Sequence, residues 1–489
     1  MIESKPPLQA LTAACLLALA PGCVSLQPPA PASEPPLPAQ FPEATGSQSA
    51  AATDWRRFFN DPQLAALIDA ALERNQELQI LLQEIAAAKS EAQARRGAVF
   101  PFLSFGGLLG ADKVGRFTRD GAVEHGLEIE PGREFPEPLG QFAATADFEW
   151  EIDIWRKLRN ERDAAVLRYL ATEQGRNFIL TQLIAEIAES YYELLALDNR
   201  LIILDRMIEV QERALAAVQV QKNAAKVTEL AVKRFEGEVL KNRGLRYVLL
   251  QQVTVTENRL NRLAGRYPTA IARQPQGFTR LNLGPLQAGL PAELLRNRPD
   301  VRQAELEVAA AGLDIKVAAA RFYPSLNLSA ALGLESFTLD KLLTGKESML
   351  YGAAAGIAAP LINRSAIQAA YNGASARQLA AVQAYQQTVL KAYVETVNQL
   401  AEIRNLSRSL SLKQEQVQTL SDAVSLADQL FNSARADYTE VLLTQREALE
   451  SRTELIELKQ RQLTAYVKAY KALGGGVTVA SAIPAKVGT

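Results

Sequence analysis

The sequence predicts a mixed α and β protein in which amphipathic strands alternate with very long helical hairpins, arranged as two matching halves. Three observations carry this. Residues 142–155 and 325–335 alternate apolar and polar at a period of two. Long stretches near 158–220 and 367–430 place apolar residues three and four apart, with Ala, Leu, Gln, Glu, Lys and Arg filling the rest. Finally, Ala86-Ala87-Ala88 leads to Phe100-Pro101-Phe102, and Ala309-Ala310-Ala311 leads at the same spacing to Tyr323-Pro324-Ser325, an offset of 324 − 101 = 223 residues.

Residues 1–22 read as a secretory signal. Lys5 precedes an apolar run over 8–20 that is too short to span a bilayer. The run ends in Leu19-Ala20-Pro21-Gly22-Cys23, where a small residue precedes a cysteine as at a bacterial lipoprotein cleavage site, although Ala20 and Pro21 depart from the usual pattern. Cys23 is the expected acyl acceptor, and a covalent lipid there is the one non-protein group expected. Cys15 lies inside the apolar run, so a chain starting at Cys23 has no second cysteine and must be stabilised without disulfides. The prolines within 23–52 favour extended polyproline geometry, which suits a tether.

Composition narrows the function classes. Fifty-three basic residues balance 54 acidic ones, for a net charge of −1, which gives no support for a nucleic-acid partner. The single histidine, His125, sits among Gly121, Glu124, Gly126 and Glu128, as a loop residue would. Metal-ligand spacings, phosphate loops and nucleophile elbows are missing from the sequence, so no enzyme, metal site or cofactor is expected.

The first half is placed at 53–285: a helix, a strand at 99–111, an extracellular loop at 112–141, a strand at 142–155 and a helical hairpin at 158–265. The second, at 286–477, has a helix at 300–321, a strand at 323–336, a loop at 337–348, a strand at 349–362 and a hairpin at 365–473. Residues 478–489 form a flexible tail. In the second strand, Phe142, Ala144, Ala146, Phe148, Trp150, Ile152 and Ile154 share one side, opposite Thr145, Asp147, Glu149, Glu151 and Asp153. In the third, Leu326, Leu328, Ala330, Leu332 and Leu334 oppose Ser325, Asn327, Ser329, Gly333 and Glu335. Leu103, Phe105, Gly107 and Leu109, and then Tyr351, Ala353, Ala355, Ile357, Ala359 and Leu361, mark the outward faces of the other two. Strands of about ten residues with one apolar and one wet face fit a membrane barrel, with Asp147, Glu149, Glu151 and Asp153 lining the lumen. The alternative is a soluble sandwich edge.

Four strands cannot close a membrane barrel, because known ones start at about 8 strands and lipid tolerates no open sheet edge. Several copies must each contribute; dimer, trimer and tetramer all satisfy the count. The hairpins are also too long for a globular core. Seventy residues separate Trp155 from Ala225, and at about 1.5 Å per residue such a helix reaches on the order of 100 Å.

Several ordered segments resemble one family. These are Asp54-Trp55-Arg56-Arg57-Phe58-Phe59-Asn60-Asp61-Pro62-Gln63-Leu64, Asp153-Ile154-Trp155-Arg156-Lys157, Leu290-Pro291-Ala292-Glu293-Leu294-Leu295-Arg296-Asn297-Arg298-Pro299-Asp300-Val301, the two Phe/Tyr-Pro strand starts, and Tyr470-Lys471-Ala472-Leu473-Gly474-Gly475-Gly476. Together they resemble the NodT-like branch of the TolC-like outer membrane factors, over about residues 53–477. The resemblance implies a homotrimer with a 12-stranded outer-membrane β-barrel, four strands per chain, continued by a long periplasmic α-helical barrel. It further implies a lipid-anchored protein of a Gram-negative outer membrane, acting as the exit channel of a tripartite efflux pump. Its partners would be a periplasmic membrane fusion protein and an inner-membrane pump of the resistance-nodulation-division type.

The matching hairpin tips, which close the tube in this family, contain Thr228 and Glu229, and Arg435, Asp437, Tyr438 and Glu440. Ala225 and Ala434 stand where a turn glycine is usual, so a turn of another geometry or a longer helix is expected there. The competing assignments are the duct of a type I protein secretion system and, from another class, a periplasmic coiled-coil scaffold.

Overall fold

The computed structural model describes residues 37–42, 49–50, 53–284, 286–343, 346–360, 364–433 and 435–475. Cys23 and the tail at 478–489 therefore lie outside the described residues. In chain order come α1 (Trp55–Phe59), α2 (Pro62–Arg74), α3 (Gln76–Gly97), β1 (Phe102–Asp112), α4 (Arg119–His125), β2 (Glu128–Glu130), β3 (Arg133–Glu134), β4 (Leu139–Ile152), α5 (Lys157–Asn223) and α6 (Glu229–Leu263). They are followed by α7 (Leu294–Asn297), α8 (Pro299–Ala320), β5 (Ser325–Ser336), α9 (Leu339–Leu342), β6 (Met349–Ala358), α10 (Ser365–Asn432) and α11 (Tyr438–Ala472).

The internal repeat is visible in these bounds. Both α3 and α8 have 22 residues, α6 and α11 have 35, and α5 and α10 have 67 and 68. Pro299 follows Gln76, and Ala320 follows Gly97, by the same 223 residues that separate the two strand-start prolines.

One compact unit comprises residues 96–161 and 311–380. Its centre is a four-stranded antiparallel sheet in the order β1-β4-β5-β6. Register aligns the apolar residues of all four strands on one face. Leu103 pairs with Phe148, Phe148 with Ala330, and Ala330 with Ala353; likewise Phe105 pairs with Ala146, Ala146 with Leu332, and Leu332 with Tyr351. Among the described residues that face is open along the two edge strands. Phe105 and Tyr351 are each 81% exposed and Ile357 74%. A contiguous apolar face of this extent belongs against lipid or another protein. Among the described residues no helix is long and apolar enough to cross a membrane.

The strand expected over 142–155 instead runs from Leu139 to Ile152. It begins earlier because its ladder with β1 continues to the Asp112–Leu139 pair. It stops earlier because the Ile154 N–H turns back to the Ile152 carbonyl (2.9 Å) and Arg156 takes a left-handed φ of 60°. The loop expected over 112–141 holds structure of its own: α4, capped by the Thr118 hydroxyl, and the short β2–β3 hairpin.

The second unit comprises residues 34–95, 162–310 and 381–489 and is almost wholly helical. Its core gathers Leu64, Ile68, Tyr191, Leu194, Leu195, Leu260, Ile456, Leu463 and Val467, all nearly inaccessible to solvent. Each such side chain contributes about 1.5–3 kcal/mol by leaving water. The family-like segments lock this core. Asp61 caps α2 by accepting the Gln63 and Leu64 N–H groups, with Pro62 at the first helical position. Phe58 stacks on Tyr470 at 4.3 Å between ring centroids, and the Tyr470 hydroxyl donates to the Thr53 carbonyl. A second cluster takes in Phe41 from the tether, which stacks on Tyr393 of α10 at 5.7 Å.

Candidate functional site

Two places hold the residues singled out from the sequence: the polar face of the sheet and the ends of the long hairpins. On the sheet, Phe102, Glu149, Ser329 and Ala354 form one cross-strand row, and Glu151, Asn327 and Gly356 another. Asp147 pairs with Ser104 and Ala331 on the same face. The structure therefore brings Asp147, Glu149 and Glu151 together on the face opposite the apolar one. Asp147 accepts from the Thr145 hydroxyl at 3.0 Å, and Glu151 takes an ion pair from Lys157 at 2.5 Å. Glu149 is exposed and forms no ion pair within the chain among the described residues.

Asp153 does not join them, and its expected place on the lumen is corrected. The strand has already ended, and the carboxylate turns to the start of α5, accepting the Leu158 and Arg159 N–H groups at 3.0 Å each and the Arg159 guanidinium at 2.9 Å. Its side chain is 6% exposed. It satisfies the unpaired amides of a helix start. Beside it, Trp155 stacks on Tyr323 at 4.7 Å and donates its indole N–H to the Pro324 carbonyl.

At the other site, α5 ends at Asn223 and α6 begins at Glu229, while α10 ends at Asn432 and α11 begins at Tyr438. The first turn keeps the geometry that glycine usually supplies. Ala225 holds φ 57°, its N–H donates to Lys222, and the Lys226 N–H reaches the Gln221 carbonyl at 2.9 Å. This is a Schellman ending with alanine in the left-handed position, so the expected alternative geometry is replaced by strain. In the second turn the Arg435 N–H makes the same five-residue return to the Leu430 carbonyl at 2.8 Å.

The two tips adjoin through one apolar cluster in which Val218, Val232 and Phe235 meet Phe431, Tyr438 and Leu442. Tyr438 is thus partly buried packing, whereas Thr228, Glu229, Arg435, Asp437 and Glu440 are exposed. Thr228 and Asp437 are the N-cap residues of α6 and α11. Glu229 pairs with Lys222 at 2.8 Å, and the hydrogen bond from that ammonium holds its carboxyl below the usual range. Among the described residues Arg435, Asp437 and Glu440 form no ion pair within the chain, which leaves their charges for other copies or for solvent.

Sequence reasoning missed Lys222, and Phe431 and Phe235 as the tip packing; an aromatic one residue before the end of α10 and another six residues after the start of α6 were visible signals. It also missed Phe102, whose ring stands on the polar face.

A family model of the outer membrane efflux protein matches residues 67–266 and 290–475. The solvent efflux pump outer membrane protein SrpC of Pseudomonas putida is 29% identical over 459 residues, covering 93% of this chain and 94% of that one. The probable outer membrane lipoprotein SilC of Salmonella typhimurium is 26% identical over 477 residues, covering 96% and 99%. Among solved structures, the open state of the Neisseria gonorrhoeae MtrE outer membrane channel superposes with a TM-score of 0.81 at 22% identity, over 92% of this chain and 99% of that one. A CusC crystal structure does so at 0.80 and 24% identity, over 92% and 100%. The fold is that of TolC-like outer-membrane channels. Members of the family are channels rather than enzymes. The chain belongs to the outer membrane efflux protein family and is the outer-membrane channel component of an efflux pump.

Proposed function

We propose that three copies close a 12-stranded barrel and form a duct that passively conducts small molecules from a periplasmic membrane fusion protein and an inner-membrane pump, of the resistance-nodulation-division type, to the outside. The observation that carries this reading is the sheet itself: four strands with β1 and β6 as unpaired edges among the described residues and an outward apolar face that is exposed along both of them. Lipid would leave those edges unsatisfied, so edge must meet edge in a neighbouring copy. Asp147, Glu149 and Glu151 then line a wet lumen and favour cations through their summed field.

A lipid on Cys23 would anchor the chain beside its barrel. The relatives' names cover solvents, pyoverdine, antibiotics and cations, and the cargo of this duct belongs among such small solutes. At the tips, threefold symmetry brings three copies of Asp437 and Glu440 near one axis, where Arg435 of one copy can pair with a carboxylate of the next and latch the closed state.

Planar-bilayer conductance of the purified protein is the test. Cation-selective channels are expected, with larger conductance in Arg435→Ala and Asp437→Ala. Unchanged conductance and selectivity in both variants would remove the latch, and a protein without conductance or a heat-modifiable trimer would remove the duct. Drug or metal sensitivity of a deletion strain, against loss of a secreted protein, separates efflux from type I secretion.

A further inference from the structure

We infer that the polar face of each protomer carries a binding pocket for amphipathic organic cations, walled by Phe100 and Phe102 and charged by Glu149. The inference rests on the reading that this face lines the lumen, and it adds a resting place for cargo to a duct from which bulk transit alone demands none.

A cavity of about 580 Å³ opens at the Phe102 end of β1, lined by Phe100, Phe102, Glu149, Glu151, Asn327 and Ser329 among others. That volume suits a drug-sized molecule. Cross-strand pairing sets Phe102 beside Glu149 and Glu149 beside Ser329 on one face. Phe102 is 67% exposed and Phe100 62%. A phenylalanine left in water forgoes about 1.5–3 kcal/mol of burial, so two of them lining one cavity mark a surface that something apolar covers.

The adjoining strand of a neighbouring copy offers no such cover. The strand that closes against β1 in a trimer is β6, whose polar-face residues in its ladder with β5 run Gly352, Ala354, Gly356 and Ala358. None of these can reach over a phenyl ring.

The carboxylates Asp147, Glu149 and Glu151 of this face are not equivalent. Of the two carboxylates that line the cavity, Glu151 is held by Lys157, which leaves Glu149 as the one without an ion pair among the described residues, directly beside the Phe102 ring. An aromatic wall next to an unpaired carboxylate recognises an ammonium or an aromatic cation, through the ring face and the charge together. Asn327 and Ser329 supply hydrogen-bonding groups at the floor.

The experiment uses the full trimer in planar bilayers with ethidium added on the periplasmic side. Long ethidium blockades are expected in the wild type. Their residence should fall about tenfold in Glu149→Gln and in Phe102→Leu, but less than twofold in Asp147→Asn, which removes a charge from the same face outside the cavity. Equal shortening by Glu149→Gln and Asp147→Asn would reduce the effect to the general field of the lumen and overturn the pocket. So would unaltered blockades in Phe102→Leu, or none in the wild type. Heat-modifiable trimers and open-channel current, scored separately for each variant, report the duct itself and keep its failure distinct from failure of the pocket.

Discussion

The guanidinium of Arg298 donates a 2.9 Å hydrogen bond to the carbonyl of Ala472, the last residue of the final helix, although 174 residues separate them. Its other nitrogens form a fork on Asp300, at 3.0 and 2.7 Å, and one reaches Glu395. Arg298 is 3% exposed. Burial opposes its charge, yet the Asp300 carboxylate holds its pKa above the ordinary value. The start of α8 and the end of α11 are thereby pinned together. Gly474 follows at φ 106°, where a Cβ would lie 2.6 Å from the Asn297 carbonyl oxygen.

Arg298→Ala should cost about 3–5 kcal/mol, because it leaves Asp300 without its partner and the Ala472 carbonyl without a donor. Arg298→Lys should recover only part of this, since an ammonium cannot make the fork. The temperature at which the trimer dissociates on partly heated gels orders the three proteins.

Ala225→Gly should stabilise the first tip by about 1 kcal/mol, relieving a left-handed alanine. Hydrogen exchange of the amides at 224–226 should slow about fivefold, with the rest of the chain unaffected.

Asp153→Ala should weaken the start of α5 by about 1–2 kcal/mol through loss of its capping acceptors, without altering ion selectivity. Glu149→Gln should do the reverse, lowering cation selectivity at little cost to the fold. Reversal potentials across a salt gradient, read beside the melting of each variant, check both.

Glu189 gives stability a pH dependence. Burial raises its carboxyl pKa above the ordinary value, against the pull of Lys468 and Lys471, and Glu186 adds to the rise. A raised acid pKa means that the folded chain binds the proton more tightly than the unfolded chain does. Stability therefore falls as pH rises from the unfolded value of about 4.3 through the folded one. Glu189→Gln should melt higher than wild type at pH 7, and the gap should close by about pH 4, where the wild-type carboxyl is also neutral.

The barrel strands were legible because a period of two survives in Phe142, Ala144, Ala146, Phe148, Trp150 and Ile152 whatever else the chain does. The same alternation misplaced Asp153, since parity continues through Asp153 and Ile154 after the ladder has stopped. What ends the ladder is a helix needing an acceptor, and that depends on where α5 begins. Helix lengths could be read from the dearth of Gly and Pro. The joining of the tips through Phe235, Phe431 and Tyr438 could not, because it links helices far apart in sequence. The buried pair in which Asn242 donates to Gln211 at 2.7 Å was hidden likewise, since each looks alone like a solvated helix position.

The two bare edges, β1 and β6, also make the protein's genetics collective. A subunit with either edge spoiled still offers its other edge to healthy partners and draws them into a ring that cannot seal. In a cell expressing equal amounts of sound and edge-damaged chains, only about one assembly in eight would be free of the defect, given random assortment into trimers. Such an allele should poison export in the presence of the normal gene, where simple loss of one copy would pass unnoticed.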